Sequence, residues 1–254
     1  MKQRCKGLEV GGIYPSNQCG DFRVLEILNS KSVKIEFLNT GYTKQVAAGN
    51  LREGKAVDPL QKLTVGVGVL GGTKHKPTQN GKHTAAYKTW AAMIKRCYDP
   101  KHKGYKFYGA RGVSVCSEWH NFQEFADWFE ENSVEGYHLD KDIITHGSRL
   151  YSPETCCFVP VAINILLVKP KRNKNGWATG TRKREDCRCW SARLKDENKK
   201  EKYLGMFDSM HQAFLAYKEA KEERIKSVAE KEYSSGNITK KVYQSLMNWE
   251  VYPY

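Results

Sequence analysis

No run in this sequence approaches the roughly 18 consecutive apolar residues of a membrane-spanning helix, and Met1-Lys2-Gln3-Arg4 is not followed by the apolar core of a secretory signal. The expectation is a soluble, cytoplasmic protein with no membrane partner. A Cys-x2-Cys zinc knuckle is also missing, because Cys187-Arg188-Cys189 leaves one residue between its thiols. Eight cysteines without a signal sequence, in a chain long enough to build a core, do not read as a secreted disulfide framework. Cys97, Cys116 and Cys156 could share a structural Zn2+ with His138 or Cys157, or stand as buried free thiols. Acidic residues are in deficit, 28 Asp and Glu against 42 Lys and Arg, for a net charge of +14 and a pI near 9.3.

That imbalance favours a polyanionic partner, and its distribution is informative. Residues 1–75 carry eleven basic against six acidic side chains, 76–168 eleven against ten, 169–226 seventeen against nine, and 227–254 three against three. A nearly neutral middle between basic flanks suits a catalytic unit between phosphate-binding arms. With 40% hydrophobic and 11% aromatic residues the chain can pack cores, which excludes wholesale disorder. Its 254 residues allow one large domain or two to three small ones.

Within residues 1–62, Phe22 to Leu28 and Val33 to Leu38 alternate as strands, and Asn39-Thr40-Gly41-Tyr42 turns into a third from Thr43 to Ala47. The order gives a small β-barrel meander resembling SH3-like modules, for binding nucleic acid or a neighbouring domain, or for scaffolding. Residues 63–83, rich in glycine, read as a linker. Tyr87, Trp90, Met93, Ile94 and Cys97 recur at spacings of three and four and predict a helix from Thr84 to Tyr98. Trp119, Phe122, Phe125, Ala126 and Phe129 predict a second. Arg111 lies between two glycines in a turn, where it reaches a phosphate or serves structure. Gly136 to Ile144 reads as a strand with two carboxylates; after a turn at Gly147 and Ser152-Pro153 come a short strand ending at Pro160 and a helix from Val161. This is a β-β-α unit.

Four blocks in order, Tyr87-x2-Trp90-x2-Met93-x2-Arg96-Cys97-Tyr98, Tyr108-Gly109-x-Arg111-Gly112-Val113-x-Val115-Cys116-x-Glu118-Trp119-x2-Phe122-x2-Phe125, Leu139-Asp140-Lys141-Asp142 and Tyr151-Ser152-Pro153-Glu154-Thr155-Cys156, resemble the HNH-like (ββα-metal) endonucleases of bacteriophages. The resemblance covers 84–167 and implies hydrolysis of double-stranded DNA with one divalent cation, Mg2+ or Mn2+, in the cytoplasm of a bacterial host if the chain is phage-encoded. It puts Asp140 and Asn164 at the metal positions. Lys141 falls where the family has its histidine base, and Thr155 where it has an asparagine. A lysine is a poor base at its ordinary pKa of about 10.4. Asp142 as second ligand or base, His138 or His146 swinging in, or Lys141 holding phosphate while hydroxide attacks would each restore catalysis. The alternative is a DNA-binding or inhibitor protein on a degenerate scaffold.

Residues 169–176 form a basic linker with Lys171 and Arg172. In 177–232 the series Trp190-x-Ala192-Arg193-Leu194, Tyr203-Leu204-Gly205-x-Phe207 and Ala213-Phe214-x2-Tyr217 resembles the AP2-type DNA-binding domain. That likeness implies three strands and a helix from Ser209 to about Lys231, with Arg182, Arg184, Arg188, Trp190, Arg193 and Lys195 against bases and phosphates. Glu185-Asp186 interrupts the positive stripe, and Trp190 fits a core role equally. The tail, 233–254, predicts a short helix docked on a domain, or a homodimer contact. The fold class expected is therefore α+β in three parts.

Overall fold

The computed structural model describes residues 7–168, 175–196 and 200–253. It is a mixed α+β protein that divides into two compact units, one running to Asn132 and including Arg149–Ser152, the other comprising Ser133–Ser148 and Pro153 onward. The division falls inside 84–168, not at 169–176. The two amphipathic helices belong to the first unit and the β-β-α segment to the second.

The first unit opens with strands β1 (Ile13–Pro15), β2 (Asp21–Asn29), β3 (Ser32–Phe37) and β4 (Thr43–Ala47) and helix α1 (Ala48–Arg52). Alternation sends Phe22, Val24, Val33, Ile35 and Phe37 to one face, where Leu51 and Cys19 close the core. Asn29 Oδ1 accepts the Lys31 N–H at 2.9 Å and sets the β2–β3 turn. The strands lie in the order β1-β2-β3-β4, and no β1–β4 pairing closes them among the described residues. At the level of strand pairing the expected small barrel is an open meander.

The glycine-rich segment at 63–83 is an ordered part of the unit and not a spacer. The Gln123 carboxamide donates to the Leu70 carbonyl at 2.7 Å and accepts the His75 N–H at 2.7 Å. Strands β5 (Thr78–Gln79) and β6 (Lys82–His83) pair across Asn80-Gly81, both left-handed with φ of 51° and 72°. Helix α2 (Ala85–Tyr98) starts where the Thr84 hydroxyl accepts the Tyr87 N–H. It buries Trp90, Met93, Ile94 and Cys97 against Phe122, Phe125 and Ala126 of α3 (Phe122–Asn132). The Trp90 indole donates to the Trp119 carbonyl at 2.7 Å, so the large ring is buried without an orphaned polar atom. Strand β7 (Ser114–Val115) will be seen to pair in parallel with the returning Leu150–Tyr151 segment.

The second unit contains β8 (Tyr137–Asp140), while β9 (Leu150–Tyr151) is the first unit's return strand beside β7. There follow β10 (Cys157–Pro160), α4 (Val161–Leu167), β11 (Thr181–Lys183), β12 (Trp190–Lys195), β13 (Glu201–Phe207), α5 (Met210–Ser234) and α6 (Lys240–Met247). Strands β11, β12 and β13 form an antiparallel sheet packed on the first half of α5, where Ala192 and Leu194 meet Ala213, Phe214 and Tyr217. The second half of α5 enters another core. There Ile225 and Ala229 pack with Val242 and Leu246 of α6 and with Val159, Ile163 and Leu166 of the β-β-α segment. The tail is thus a helix, capped by Thr239, docked on its own unit. Cys187 and Cys189 are joined as a disulfide, a pairing across one residue that the sequence reading did not foresee.

Candidate functional site

Strands β8 and β10 pair antiparallel with His138 opposite Val159 and Asp140 opposite Cys157. Partners across a ladder point to the same face. Val159 is fully buried in the core with Ile163, so His138 and Asp140 project on the side covered by α4. Extended Pro160 ends the strand and starts α4, which sets Asn164 in the helix with Ile163 and Leu166 turned inward. At the exposed margin of that layer Nδ2 of Asn164 donates to Nδ1 of His138 at 3.3 Å. The fold therefore brings together a solvent-accessible imidazole and a carboxamide 26 residues apart in sequence.

The Asp140-Lys141-Asp142 series is used differently from the expectation. Asp140 Oδ1 accepts the backbone N–H groups of Asp142 and Ile143 at 2.7 and 2.9 Å, closing the turn that follows β8. Burial holds its carboxyl above the usual aspartate value, against the lowering effect of those two hydrogen bonds. Asp140 thus caps the turn through Oδ1, and its expected role as a metal ligand stands as a proposal. Lys141 is only 7% exposed, and its ammonium donates to Asp142 at 2.6 Å and to the Ser148 carbonyl at 2.7 Å. Those two hydrogen bonds favour the protonated ammonium, which has no lone pair to offer as a base. Asp142 is engaged by the same ammonium. Thr155 precedes β10 with its hydroxyl 3.9 Å from the Cys156 sulfur. The Cys157 thiol is pushed up to about 12, first by burial and then by the Asp140 carboxylate beside it. His146 packs edge-on against Trp249 with centroids 4.7 Å apart.

Among the described residues no group of three or more His, Cys, Asp or Glu lies together as a metal site. A caged structural Zn2+ does not fit these donors. Mg2+ keeps several waters and is held through one or two carboxylates plus substrate phosphate, and Asp140 is the carboxylate that shares a strand face with His138. Asn164 would add an amide oxygen with its carboxamide turned, since Nδ2 is the atom that faces His138.

On the three-stranded sheet, Arg182 and Lys195 are exposed, and Arg188 is exposed on the β11–β12 connection. Nη1 of Arg193 bonds Glu201 at 3.1 Å. Arg184 forks onto Asp186, holding that carboxyl below its usual value by hydrogen bond and charge. Trp190 lies on the α5 side, partly buried with its ring 5.3 Å from Trp177 in an edge contact, which fits the core alternative for this residue. Arg111, in the first unit, is exposed at the end of a 3-10 turn with its guanidinium 5.7 Å from the Phe107 ring. Lys171 and Arg172 lie outside the described residues. Lys221 and Arg224 of α5 were missed by the sequence reading; their spacing from Tyr217, at four and seven residues, is the signal that places all three on one helix face. Comparison with family models, with curated proteins and with solved structures finds no match to this chain.

Proposed function

We propose that this chain is a DNA endonuclease of the HNH-like, ββα-metal kind, hydrolysing phosphodiester bonds with His138 as general base and with Asp140 and Asn164 as the protein's oxygen ligands to one divalent cation. The observation that carries the reading is the 3.3 Å approach of Asn164 to His138 on a β-β-α unit, at an exposed edge where a strand of DNA has access. Bound there, Mg2+ or Mn2+ would neutralise charge on the phosphate and on the leaving 3′-oxygen. His138 takes the proton of the attacking water at Nδ1, which is freed when the Asn164 carboxamide turns its oxygen to the cation and withdraws the Nδ2–H now donated to that nitrogen. Core packing of Val159 and Ile163 behind the pair holds strand and helix in fixed relation. The three-stranded sheet, read as AP2-like, presents Arg182, Arg188, Arg193 and Lys195 to the duplex, and the meander, read as SH3-like, is an accessory module.

A second reading rests on a specific observation: Asp140 and Lys141 are locked into the turn by their own hydrogen bonds, as in a scaffold that has left catalysis and kept DNA binding. Incubation of supercoiled plasmid with Mg2+ or Mn2+ separates the two. The nuclease reading expects nicked or linear product from the wild type and none from His138→Ala. No cleavage with either ion, alongside a retained gel shift, selects the binder. Affinity should fall steeply with salt as phosphates are neutralised, and a flat salt response would remove nucleic acid from both readings.

A further inference from the structure

Tyr217, Lys221, Arg224 and Val228 form one stripe of α5 at spacings of three and four. The stripe faces a cleft of about 1030 Å³, whose other walls come from the end of α4 and from β11 and β12. Among the described residues, six cationic side chains and three carboxylates line it.

Those cations are incompletely matched. The half-buried Lys221 ammonium meets no hydrogen-bond or ion-pair acceptor among the described residues. Arg193 spends Nη1 on Glu201, but its Nε is wholly buried with no acceptor. Arg224 is anchored through the Lys195 carbonyl, which keeps its charge beside Lys221. Burial first, and Arg224 second, push the Lys221 ammonium down to about 8. Cations drawn out of water without a counter-charge are costly to hold, and an anion entering the cleft relieves that cost.

The remaining wall is of another kind. Ile165 is 67% exposed and Val168 63%, both beside the cleft with the Trp177 ring. An aromatic ring and aliphatic side chains next to free N–H donors suit a ligand with an anionic end and a flat organic end. The volume lies at the top of the roughly 300–1,000 Å³ usual for small-molecule sites, enough for a nucleotide with room to spare. Residues 169–174 of the chain itself hold four Lys or Arg and no carboxylate, so their charge has the sign of the cleft's own.

We propose that this cleft binds a nucleoside phosphate, with phosphate oxygens on Lys221 and the Arg193 guanidinium and the base against Trp177 and the aliphatic end of α4. The ligand is either a free nucleotide or the nucleotide of a single strand, and the same site serves both. The inference does not require cleavage at His138.

The full chain is titrated by calorimetry with AMP, with inorganic phosphate and with a six-nucleotide single-stranded DNA, and the titrations are repeated on Lys221→Met and Lys221→Arg. AMP or the oligonucleotide should bind saturably and more tightly than inorganic phosphate. Lys221→Met should weaken it about ten-fold or more, with a melting temperature no lower than the wild type's, while Lys221→Arg restores binding to within about three-fold. A tighter oligonucleotide that AMP displaces assigns the site to a strand, and AMP binding alone assigns it to a free nucleotide. Absence of saturable binding, equal affinity for inorganic phosphate and AMP, or unchanged affinity in Lys221→Met overturns the proposal.

Discussion

Asp140 offers the sharpest separation between a structural and a catalytic carboxylate. In Asp140→Ala the N–H groups of Asp142 and Ile143 lose their acceptor. An unmatched donor costs about 1–3 kcal/mol, and relief of the carboxylate's burial offsets part of that, so a loss of about 2–4 kcal/mol is expected. Asp140→Asn keeps an oxygen in the same place and removes the charge, so its stability should stay within about 1 kcal/mol of the wild type. The pH dependence adds a sign. Burial raises the folded-state pKa of Asp140 above the usual value of 3.8, so between that value and the folded one the native state holds more protons than the unfolded. Stability from this group therefore falls as pH rises through that window. The Asn variant lacks this loss and should gain on the wild type between about pH 4 and neutrality. Urea denaturation of the three proteins at both pH values measures it. If Asn proves as destabilising as Ala, the turn-cap assignment is wrong. If Asn leaves stability alone but abolishes Mg2+-dependent cleavage, the carboxylate belongs in the metal shell.

Other expectations are simpler to test. Asn164→Ala and His138→Ala should each lower plasmid cleavage by about 10²-fold or more while thermal melting barely changes, since His138 is exposed and neither belongs to the core. Gly180 has φ of 77°, and an added Cβ would overlap the Tyr217 ring, so Gly180→Ala should cost about 2–4 kcal/mol in a denaturant melt. The Cys157 thiol, buried and pushed up to about 12, should resist a thiol reagent in the native state and react once the chain is unfolded.

Most of the secondary structure was legible because burial writes its period into the residues. Phe22, Val24, Val33, Ile35 and Phe37 alternate and gave strands; Trp90, Met93, Ile94 and Cys97 recur at helical spacing and gave α2. Short pairings left no such mark: β1 has three residues and β5 and β6 two each. The glycine-rich segment looked like a linker because its order comes from distant partners, the Gln123 side chain, the backbone of His120 and Phe122 beside Val69, and Asp127 on His75, and not from its own composition. At the site, the sequence named the residues but not their duties. Alternation puts His138 and Asp140 on one face, yet only the fold of the following turn shows that Asp140 curls back onto the backbone of 142 and 143 while His138 remains open beside Asn164. The pattern of α5 was weak for a related reason: its apolar positions serve two cores in succession, so no single stripe runs its length.

That shared helix has a mechanical consequence. Twenty-five residues of α-helix measure about 37 Å, near the length of one turn of duplex DNA at about 3.4 Å per step. One end is seated in the sheet and the other in the core behind His138, with no hinge between. The helix acts as a ruler with a built-in phase. Each residue added to it would lengthen the gauge by about 1.5 Å and turn one end against the other by about 100°, so the offset between the three-stranded sheet and the β-β-α segment is written in the residue count of α5.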